Sequence, residues 1–291
     1  MSEICAIPFG QADCFFLTLD DRRKKQHILI DGGSKMWSGK GLPEYLRKME
    51  IGEIDLLVLT HLHQDHIGWL KEVSRNIKIH QAVLPFSPDT VKQIGQITNQ
   101  EVKEDYKSLL AIEQNLILQN TNVFYANKFQ KDMSYVFGGY RFTAIYPDIQ
   151  SRLPFLDTFC HEQKVSEAES KKAVSLLNGD SSVWLLTRGK CQIALFCGDC
   201  FEENFAENYL RYVKEQRFYE GIEILKLSHH GRNDKGHIYF TESFVNQIRP
   251  DQIWITNTGE NSLKYRGQWM AFPEKSIQRV IGEKGLVQKI R

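Results

Sequence analysis

Short apolar runs separated by polar turns mark the beginning of the chain. Three of them lie at 3–8, 14–19 and 27–30, and only a few residues connect each run to the next. Runs of this length predict β-strands, and connections this short favour antiparallel neighbours. A helical spacing of apolar residues follows at 42–51, and the run 54–59, rich in Leu and β-branched residues, predicts a buried strand.

Strands and helices alternate along the remainder of the chain. Further strands are predicted at 82–85, 121–126, 140–146, 183–186, 192–196, 222–227 and 253–256. Helices are predicted at 67–76, 202–217, 241–248 and 274–283. This alternation predicts an α/β protein. The 291 residues favour a single domain, 1–291, although the length also allows two small ones.

Two segments depart from that alternation. The segment 89–119 is long and polar, and its apolar residues recur at a roughly helical spacing, which predicts one or two inserted helices. Such a stripe is typical of plain packing, and the alternatives are a lid over a site or a partner surface. The segment 148–175 contains a polar run, and we expect an exposed loop with some helix there. Its isolated His161 is either incidental or part of a site.

Composition places the chain among ordinary globular proteins. Hydrophobic residues make up 42% and charged residues 25%, and the formal net charge is +1. A dedicated nucleic-acid-binding domain is usually strongly basic, so this balance argues against one. No apolar run approaches the roughly 18 residues of a membrane span, and the N-terminus lacks the pattern of a secretory signal. The six scattered cysteines then predict reduced thiols in a cytoplasmic protein without a membrane partner.

Residues 60–66, Thr-His-Leu-His-Gln-Asp-His, carry the strongest chemical signal. They follow the strand predicted at 54–59, and sites in open α/β sheets lie beyond the carboxyl ends of strands. Imidazole and carboxylate side chains are ligands of Zn²⁺ and similar divalent ions. Polar residues of the same types follow three other predicted strands, at Asp31, at Asp199 and at the pair His229–His230. This recurrence predicts a metal centre assembled from several strand ends.

Two metal ions suit this set of residues. His61 and His63 lie two positions apart, whereas Asp65 and His66 are adjacent and turn toward a second ion. Asp199 supplies a carboxylate that bridges both ions. Two divalent ions, Zn²⁺ or alternatively Mn²⁺, share a hydroxide in such centres, because a bound metal lowers the pKa of water toward neutrality.

Two neighbouring features have more than one interpretation. Asp31, at a strand end, is expected to orient the metal-binding loop from behind, and the alternative is an ordinary turn aspartate. Cys197 and Cys200 spell C-x-x-C, which allows redox or zinc chemistry, but the chain has no second pair of this kind.

The motif at 60–66 resembles the H-x-H-x-D-H signature of the metallo-β-lactamase superfamily. Asp31-Gly32-Gly33, Gly198-Asp199 and His229-His230-Gly231 fit the order of that superfamily's motifs. The resemblance implies a four-layer αββα sandwich with a helical insertion around 89–119. It also implies a binuclear metal-dependent hydrolase.

A narrower resemblance is to the hydrolase domain of bacterial competence channel proteins, which internalise DNA. Gly10-Gln11-Ala12-Asp13 is similar to their G-Q-G-D turn, and the segments 138–147, 178–183, 225–231 and 272–273 fall in their order too. This resemblance implies a phosphodiester substrate, either nucleic acid or a nucleotide. It also implies a protein partner in a larger bacterial system.

The chain departs from the family pattern in its expected third histidine ligand. Many members carry that histidine between the signature and the bridging aspartate, whereas His161 is poorly placed for it. Asn178 or Asp180 is therefore the candidate ligand for the first ion. The alternative is a loop turn ahead of a strand.

The residues at 229–232 are expected to meet the substrate. Of His229 and His230, one is expected to be a metal ligand, with His230 slightly favoured, and the other a proton donor or phosphate contact. Arg232 replaces the serine of the competence branch and is expected to contact an anionic substrate group; a solvated loop arginine is the alternative. Asp65 is a second candidate for protonating the leaving group.

Three functions remain open at this point. A phosphodiesterase that uses a metal-bridging hydroxide is the leading hypothesis. A lactone, amide or thioester hydrolase would use the same hydroxide on another bond. A non-catalytic metal-binding subunit of a defence or regulatory assembly is the third.

Overall fold

Two seven-stranded sheets face each other, and helices cover their outer faces. The computed structural model describes residues 1–21, 24–37, 39–91, 97, 99–160, 166–234 and 236–290. The strands are β1 Ser2–Ala6, β2 Phe15–Asp20, β3 Lys25–Ile30, β4 Glu53–Val58, β5 Lys78–Leu84, β6 Asn122–Tyr125, β7 Ser134–Phe137, β8 Tyr140–Tyr146, β9 Val183–Arg188, β10 Cys191–Phe196, β11 Ile222–Lys226, β12 Pro250–Ile255, β13 Ile277–Val280 and β14 Leu286–Ile290. The predicted αββα sandwich is confirmed.

Nine α-helices connect these strands within the described ranges. They are α1 Leu42–Lys48, α2 Gln64–Ile67, α3 Leu70–Asn76, α4 Gln100–Leu118, α5 Pro154–Phe159, α6 Glu167–Gly179, α7 Glu202–Gln216, α8 Glu242–Ile248 and α9 Gly259–Tyr265. Among the residues that the structure describes, no helix combines the length and the apolar character needed to span a bilayer.

Strand order brings the ends of several strands to one edge of the sandwich. The first sheet has the order β14-β1-β2-β3-β4-β5-β6, and the second has β13-β12-β11-β10-β9-β8-β7. The first three strands pair antiparallel, as their short connections predicted, and β3 to β6 are parallel. In the second sheet β10 to β13 are parallel. The carboxyl ends of parallel neighbours lie on the same side, so their loops meet there.

Alternation along the central strands separates an inner core from two outer ones. In β4, Leu56 and Val58 pack between the sheets, whereas Leu57 packs under the helices. Both faces of the strand are therefore buried, which explains its continuous apolar run. Across the sandwich, the ring of Phe15 on β2 lies 5.2 Å from that of Phe196 on β10. This packing fixes the distance between the loops of the two sheets.

One sequence prediction is wrong, and the structure makes two others more definite. The helix predicted at 274–283 is wrong: β13 occupies Ile277–Val280 and pairs in parallel with β12 at the sheet edge. The segment 148–175, expected to be an exposed loop with some helix, contains α5 and most of α6. The helical insertion predicted around 89–119 is confirmed: its described residues include the end of a short 3₁₀ turn, Pro88–Thr90, and the helix α4, which packs on α3 and contacts α2. Residues 92–96 and 98 lie outside the described residues.

Candidate metal centre

The centre forms where four strand ends meet. Asp31 follows β3, and residues 60–66 follow β4 in the first sheet. Asp199 follows β10, and the pair His229–His230 follows β11 in the second sheet. Each of these side chains was singled out from the sequence, and the fold brings them together at one edge.

Left-handed backbone turns aim the side chains at these strand ends. The φ angles are 59° at Asp31, 51° at Gly198, 50° at His229 and 55° at His230. A Cβ atom on Gly198 would lie 2.3 Å from the Ser181 hydroxyl, so only glycine fits beside Asp199. Non-glycine residues adopt this conformation at a cost of roughly 1 kcal/mol or more each. The two histidines therefore hold a strained turn that presents both rings to the centre.

The loop at 60–66 is held in place by its neighbours in both sheets. Ser182 N–H donates to the Thr60 carbonyl at 3.1 Å, and Asp13 N–H donates to the Asp65 carbonyl at 3.0 Å. His66 N–H donates to the His63 carbonyl at 2.8 Å, closing the first turn of α2. These hydrogen bonds fix the backbone of the loop, and with it the direction of each side chain in the motif.

Two groups of side chains converge in the centre and share Asp199. The first group is His61, His63 and Asp199. In it, Nε2 of His61 lies 3.1 Å from Nδ1 of His63. The same Nε2 lies 3.9 Å from Oδ2 of Asp199. All three side chains are buried or partly buried.

The second group is His66, Asp199 and His230, with Asp65 at its open side. Nε2 of His66 lies 3.3 Å from Oδ1 of Asp199. Nε2 of His230 lies 3.4 Å from Oδ2 of Asp199 and 3.2 Å from Oδ2 of Asp65. The structure thus brings together His61, His63, Asp65, His66, Asp199 and His230, as the sequence analysis expected.

Several atoms that face one another in the second group are buried and make no hydrogen bond with any described residue. They are Nε2 of His66, Nε2 of His230 and Oδ1 of Asp199. Buried polar atoms without partners are unfavourable unless a ligand or ion satisfies them. Imidazole nitrogens and carboxylate oxygens are the donor set of Zn²⁺ and related ions. The residues present therefore fit a divalent metal ion.

Carboxylates favour positive charge in the second group. Burial opposes protonation of His66 and His230, but the carboxylate of Asp199 helps to outweigh it. The pKa of His66 lies well above its usual range, and that of His230 rises to about 10. In the first group, burial instead lowers the pKa of His61 and of His63. The surroundings of the second group therefore favour a bound positive charge more strongly than those of the first group.

Asp31 lies directly behind His66. Its Oδ2 accepts from Nδ1 of His66 at 2.8 Å and from the Thr60 hydroxyl at 2.7 Å. Its Oδ1 accepts from the Thr60 N–H at 2.7 Å. A carboxylate on the far nitrogen fixes the tautomer and the orientation of a ligating histidine. This geometry favours the orienting role over that of an ordinary turn aspartate.

Asp13 and Lys226 also belong to the centre, although neither was predicted from the sequence as a site residue. Asp13 has one oxygen within 4.8 Å of the ligand atoms of His66, Asp199 and His230. It faces the Nδ1 side of both rings, at 3.4 Å from His230 and 3.9 Å from His66, so it orients them rather than completing the Nε2 side. Lys226 forms a buried ion pair with Asp13. The sequence did contain a signal for Asp13, because the turn Gly10–Asp13 resembles the G-Q-G-D turn of the competence proteins, but that resemblance did not assign Asp13 to the site.

Asp180 is placed away from the centre, and the proposal that it ligates a metal is corrected. Its two carboxylate oxygens accept from the N–H groups of Phe155 at 2.8 Å and Leu156 at 3.0 Å. The side chain therefore satisfies the free amides at the start of α5.

Asn178 reaches the same cavity as His63 and Asp199. Its Nδ2 donates to the Tyr239 hydroxyl at 2.9 Å, and its buried Oδ1 makes no hydrogen bond with a described residue. An amide oxygen of this kind suits a metal or a substrate donor, so Asn178 remains a proposed ligand. His161 lies outside the described residues.

His229 and His230 differ in what their rings contact. Nε2 of His229 accepts from Nη2 of Arg232 at 3.0 Å, because a guanidinium only donates. Its Nδ1 then carries the proton and donates to the Arg232 carbonyl at 3.2 Å. Burial lowers the pKa of His229 well below its usual range, consistent with this neutral ring. His230 is thus the metal-ligand candidate, and His229 in this arrangement holds Arg232 rather than a proton for transfer.

Burial and neighbouring side chains decide the protonation state of Asp65 and of the cysteines Cys197 and Cys200. Burial tends to raise the pKa of Asp65, but the neighbouring imidazoles of His230 and His66 lower it, so the carboxylate is ionised and suited to ligation rather than proton donation. Burial raises the pKa of Cys197 and of Cys200, which disfavours the thiolate that redox or zinc chemistry would need.

A cavity of about 410 Å³ opens onto the centre. Its polar lining includes His63, Asp65, Asn178, Asp199, His229 and Arg232, and its apolar lining is Phe9, Met36, Trp37 and Val174. Of the described residues that line it, Arg232 alone carries a permanent positive charge. The cavity therefore combines the candidate metal ligands, one guanidinium and an apolar wall.

Comparisons with known proteins agree with this arrangement. Residues 7–87, which include Asp31 and the motif 60–66, match the family model of the Metallo-beta-lactamase superfamily. No curated protein sequence matches the chain significantly.

Solved structures that match this chain do so at low sequence identity. Igni18, a novel metallo hydrolase from the hyperthermophilic archaeon Ignicoccus hospitalis KIN4/I, is 13% identical with a TM-score of 0.50, covering 99% of this chain and 100% of that chain. A diphosphatase from the PhnP family is 11% identical with a TM-score of 0.48, covering 97% and 85%. ST1585 from Sulfolobus tokodaii, an archaeal metallo-beta-lactamase superfamily protein, is 16% identical with a TM-score of 0.38, covering 74% and 76%.

The family match over residues 7–87 and the architecture both agree with the superfamily predicted from residues 60–66. The chain has the metallo-β-lactamase fold. The narrower resemblance to competence channel proteins stays a prediction.

Proposed function

We propose that this protein is a hydrolase that uses two divalent metal ions to cleave small phosphodiesters of nucleotide type. The observation that carries the proposal is Asp199, which is shared by two converging groups of imidazoles. His61 and His63 would hold one ion with Asp199, and His66, His230 and Asp65 would hold the other. When bound, two such ions supply activated water and stabilise developing negative charge.

The cavity supports a diester over other substrates. A phosphodiester carries a single negative charge, and Arg232 offers a single guanidinium whose buried Nε makes no hydrogen bond with a described residue. His229 holds that guanidinium at 3.0 Å, so its position is fixed before substrate arrives. The volume of about 410 Å³ suits a nucleotide or the end of a single strand rather than a duplex.

The decisive measurement compares wild type with Asp199→Ala. Protein is stripped with chelator and reloaded with Zn²⁺ or Mn²⁺, and the release of p-nitrophenol from bis-p-nitrophenyl phosphate is followed. We expect the substitution to lower kcat/KM by about 1000-fold or more, because both ions lose a ligand. Asp55→Ala is the matched control: it also removes a buried carboxylate, but one paired with Lys24. Equal activity of wild type and Asp199→Ala would refute the proposal.

A second candidate is hydrolysis of a lactone or thioester, which the apolar wall of Phe9, Met36, Trp37 and Val174 favours. The two candidates differ in their need for Arg232. For a diester, Arg232→Met should raise KM roughly tenfold, because a charge-assisted contact is lost. For a neutral lactone it should leave KM unchanged. Whichever substrate class shows both metal-dependent turnover and this pattern identifies the bond that is cleaved.

A further inference from the structure

Lys226 lies at a buried position of β11 where the strand pattern predicts an apolar residue. On β11, Ile224 packs in the core between the sheets, and Leu225 packs under the helices. Lys226 follows in alternation, and its side chain is 0% exposed. Burying an ammonium group is unfavourable unless it is paired and hydrogen-bonded. The charge must therefore have a counterpart within the core.

Its counterparts are oxygen atoms of the candidate metal centre. Nζ of Lys226 donates to the Gly198 carbonyl at 2.8 Å, forms an ion pair with Asp13 and lies 3.8 Å from Oδ1 of Asp199. Asp13 also accepts from the Thr256 hydroxyl at 2.6 Å. The ammonium thus holds the turn that carries the shared ligand and the carboxylate behind the second group. The ammonium group of Lys226 is therefore surrounded by oxygen acceptors, as a bound cation would be.

The positive charge of Lys226 balances negative charge in the candidate metal centre. Asp13, Asp31, Asp65 and Asp199 bring four carboxylates into or against the centre. Metal ions balance them only while they are bound, whereas Lys226 supplies its charge at all times. Mutual repulsion among the carboxylates opposes folding of the metal-free chain, and the fixed charge of Lys226 offsets part of that repulsion.

We propose that Lys226 is a positioning residue that acts as a built-in counter-cation, keeping the carboxylates of the centre in place when metal ions are absent. The proposal rests on the metal centre of the proposed function, but not on any particular substrate. Its consequence is that the chain folds first and binds metal into a site already formed.

The test is a thermal-unfolding cycle with and without metal. Lys226→Met keeps the length of the side chain and removes its charge. In EDTA we expect it to lower Tm by roughly 10 °C or more. In saturating Zn²⁺ or Mn²⁺ we expect less than half of that loss, because the ions then balance the carboxylates. A loss of equal size in both conditions would show an ordinary structural ion pair and overturn the proposal.

Two further variants keep the test decisive. Asp13→Asn combined with Lys226→Met removes both charges, so most of the Tm lost in EDTA should return; a double variant as unstable as Lys226→Met contradicts the proposal, even if the single variant does not fold. Lys24→Met is the control, because Lys24 pairs with Asp55 at 3.1 Å near the surface. It should change Tm little and equally in both conditions.

Failure of this proposal is distinguishable from failure of the proposed function. If metal does not change the Tm of the wild-type protein, the metal centre itself is refuted, and the role of Lys226 with it. If wild type responds to metal but the Lys226→Met loss is the same with and without metal, only the counter-cation role fails. Hydrolysis is not needed for either readout.

Discussion

The two halves of the candidate metal centre share Asp199 but differ in what lies behind their histidines. In the half formed by His66 and His230, each far ring nitrogen faces a buried carboxylate. Asp31 lies 2.8 Å from Nδ1 of His66. Nδ1 of His230 lies 3.0 Å from the Thr256 hydroxyl, which donates to Asp13 at 2.6 Å, and 3.4 Å from the Asp13 carboxylate itself. A carboxylate in this place orients the ring and makes it a stronger ligand.

In the half formed by His61 and His63, the far nitrogens face neutral groups. Nδ1 of His61 lies 3.3 Å from the Thr60 hydroxyl and 3.4 Å from that of Ser181. Nε2 of His63 lies 2.9 Å from the Val174 carbonyl. Neutral partners orient these rings without adding negative charge. One short motif therefore supplies two unequal sites, and the inequality comes from residues outside the motif.

The largest expected effect separates the two halves by metal retention. After dialysis against a mild chelator, wild type should keep the ion of the His66–His230 half. His230→Ala should weaken that ion's affinity by about 100-fold or more, because a direct ligand is lost. His63→Ala should leave the retained amount unchanged. Metal content per chain by mass spectrometry reads this out, and equal losses in both variants would show that the halves do not differ.

The next effect tests the carboxylate behind His66. Asp31→Asn preserves shape but removes charge, so the affinity for the more tightly held ion should fall roughly 10- to 100-fold. Competition with a metal-binding dye measures this affinity. Asp55→Asn makes the same chemical change at a carboxylate that bonds Lys24 and the His27 N–H, and it should have no such effect. A change of less than about twofold in Asp31→Asn would remove the basis of the comparison.

A third effect concerns the support of the motif loop by the insertion helix α4. Burial raises the pKa of Asp105 to about 7, and its Oδ1 accepts from the side chain of Gln64. The folded state therefore binds a proton that the unfolded state releases near pH 4, so this contribution to stability is full below about pH 4 and is lost as pH rises to 7.

Asp105→Asn should remove that loss. Relative to wild type, the variant should gain on the order of 2 kcal/mol in free energy of unfolding between pH 5 and pH 8. Urea denaturation at several pH values measures it. Glu104→Gln, an exposed change on the same helix, should show no such trend, and a flat difference for Asp105→Asn would contradict the assignment.

The smallest effect distinguishes helix capping from metal binding at Asp180. Asparagine accepts only one of the two amide bonds at the start of α5, so Asp180→Asn should lower the free energy of unfolding by about 1 kcal/mol. Metal content should not change. Loss of one ion per chain in this variant would restore Asp180 as a ligand.

Local sequence was enough wherever a signal lies within one strand and the loop after it. The buried run before residues 60–66 and the polar residues after β3, β10 and β11 were readable, because strand periodicity and ligand chemistry are both short-range properties. Asp180 was misplaced for the same reason. A polar residue before a strand offers the same local pattern whether it faces a metal or the start of a neighbouring helix.

The helix predicted at 274–283 shows how an edge position overrides local spacing. Ile277, Val280 and Ile281 lie at positions that suit one face of a helix. The segment instead pairs with β12, whose free edge offers backbone hydrogen bonds that only the assembled sheet provides. The spacing of apolar residues within 274–283 carries no information about the neighbouring strand β12.

The sequence by itself determined the layered architecture and the donor types at each strand end. Tertiary structure alone decided that Asp13 lies behind His230 and that Lys226 balances the carboxylates. The Asp13 carboxylate and the Thr256 hydroxyl, which bond each other, are 243 positions apart. Such contacts depend on how two sheets pack face to face, and packing distance between sheets is not encoded in the periodicity of either one.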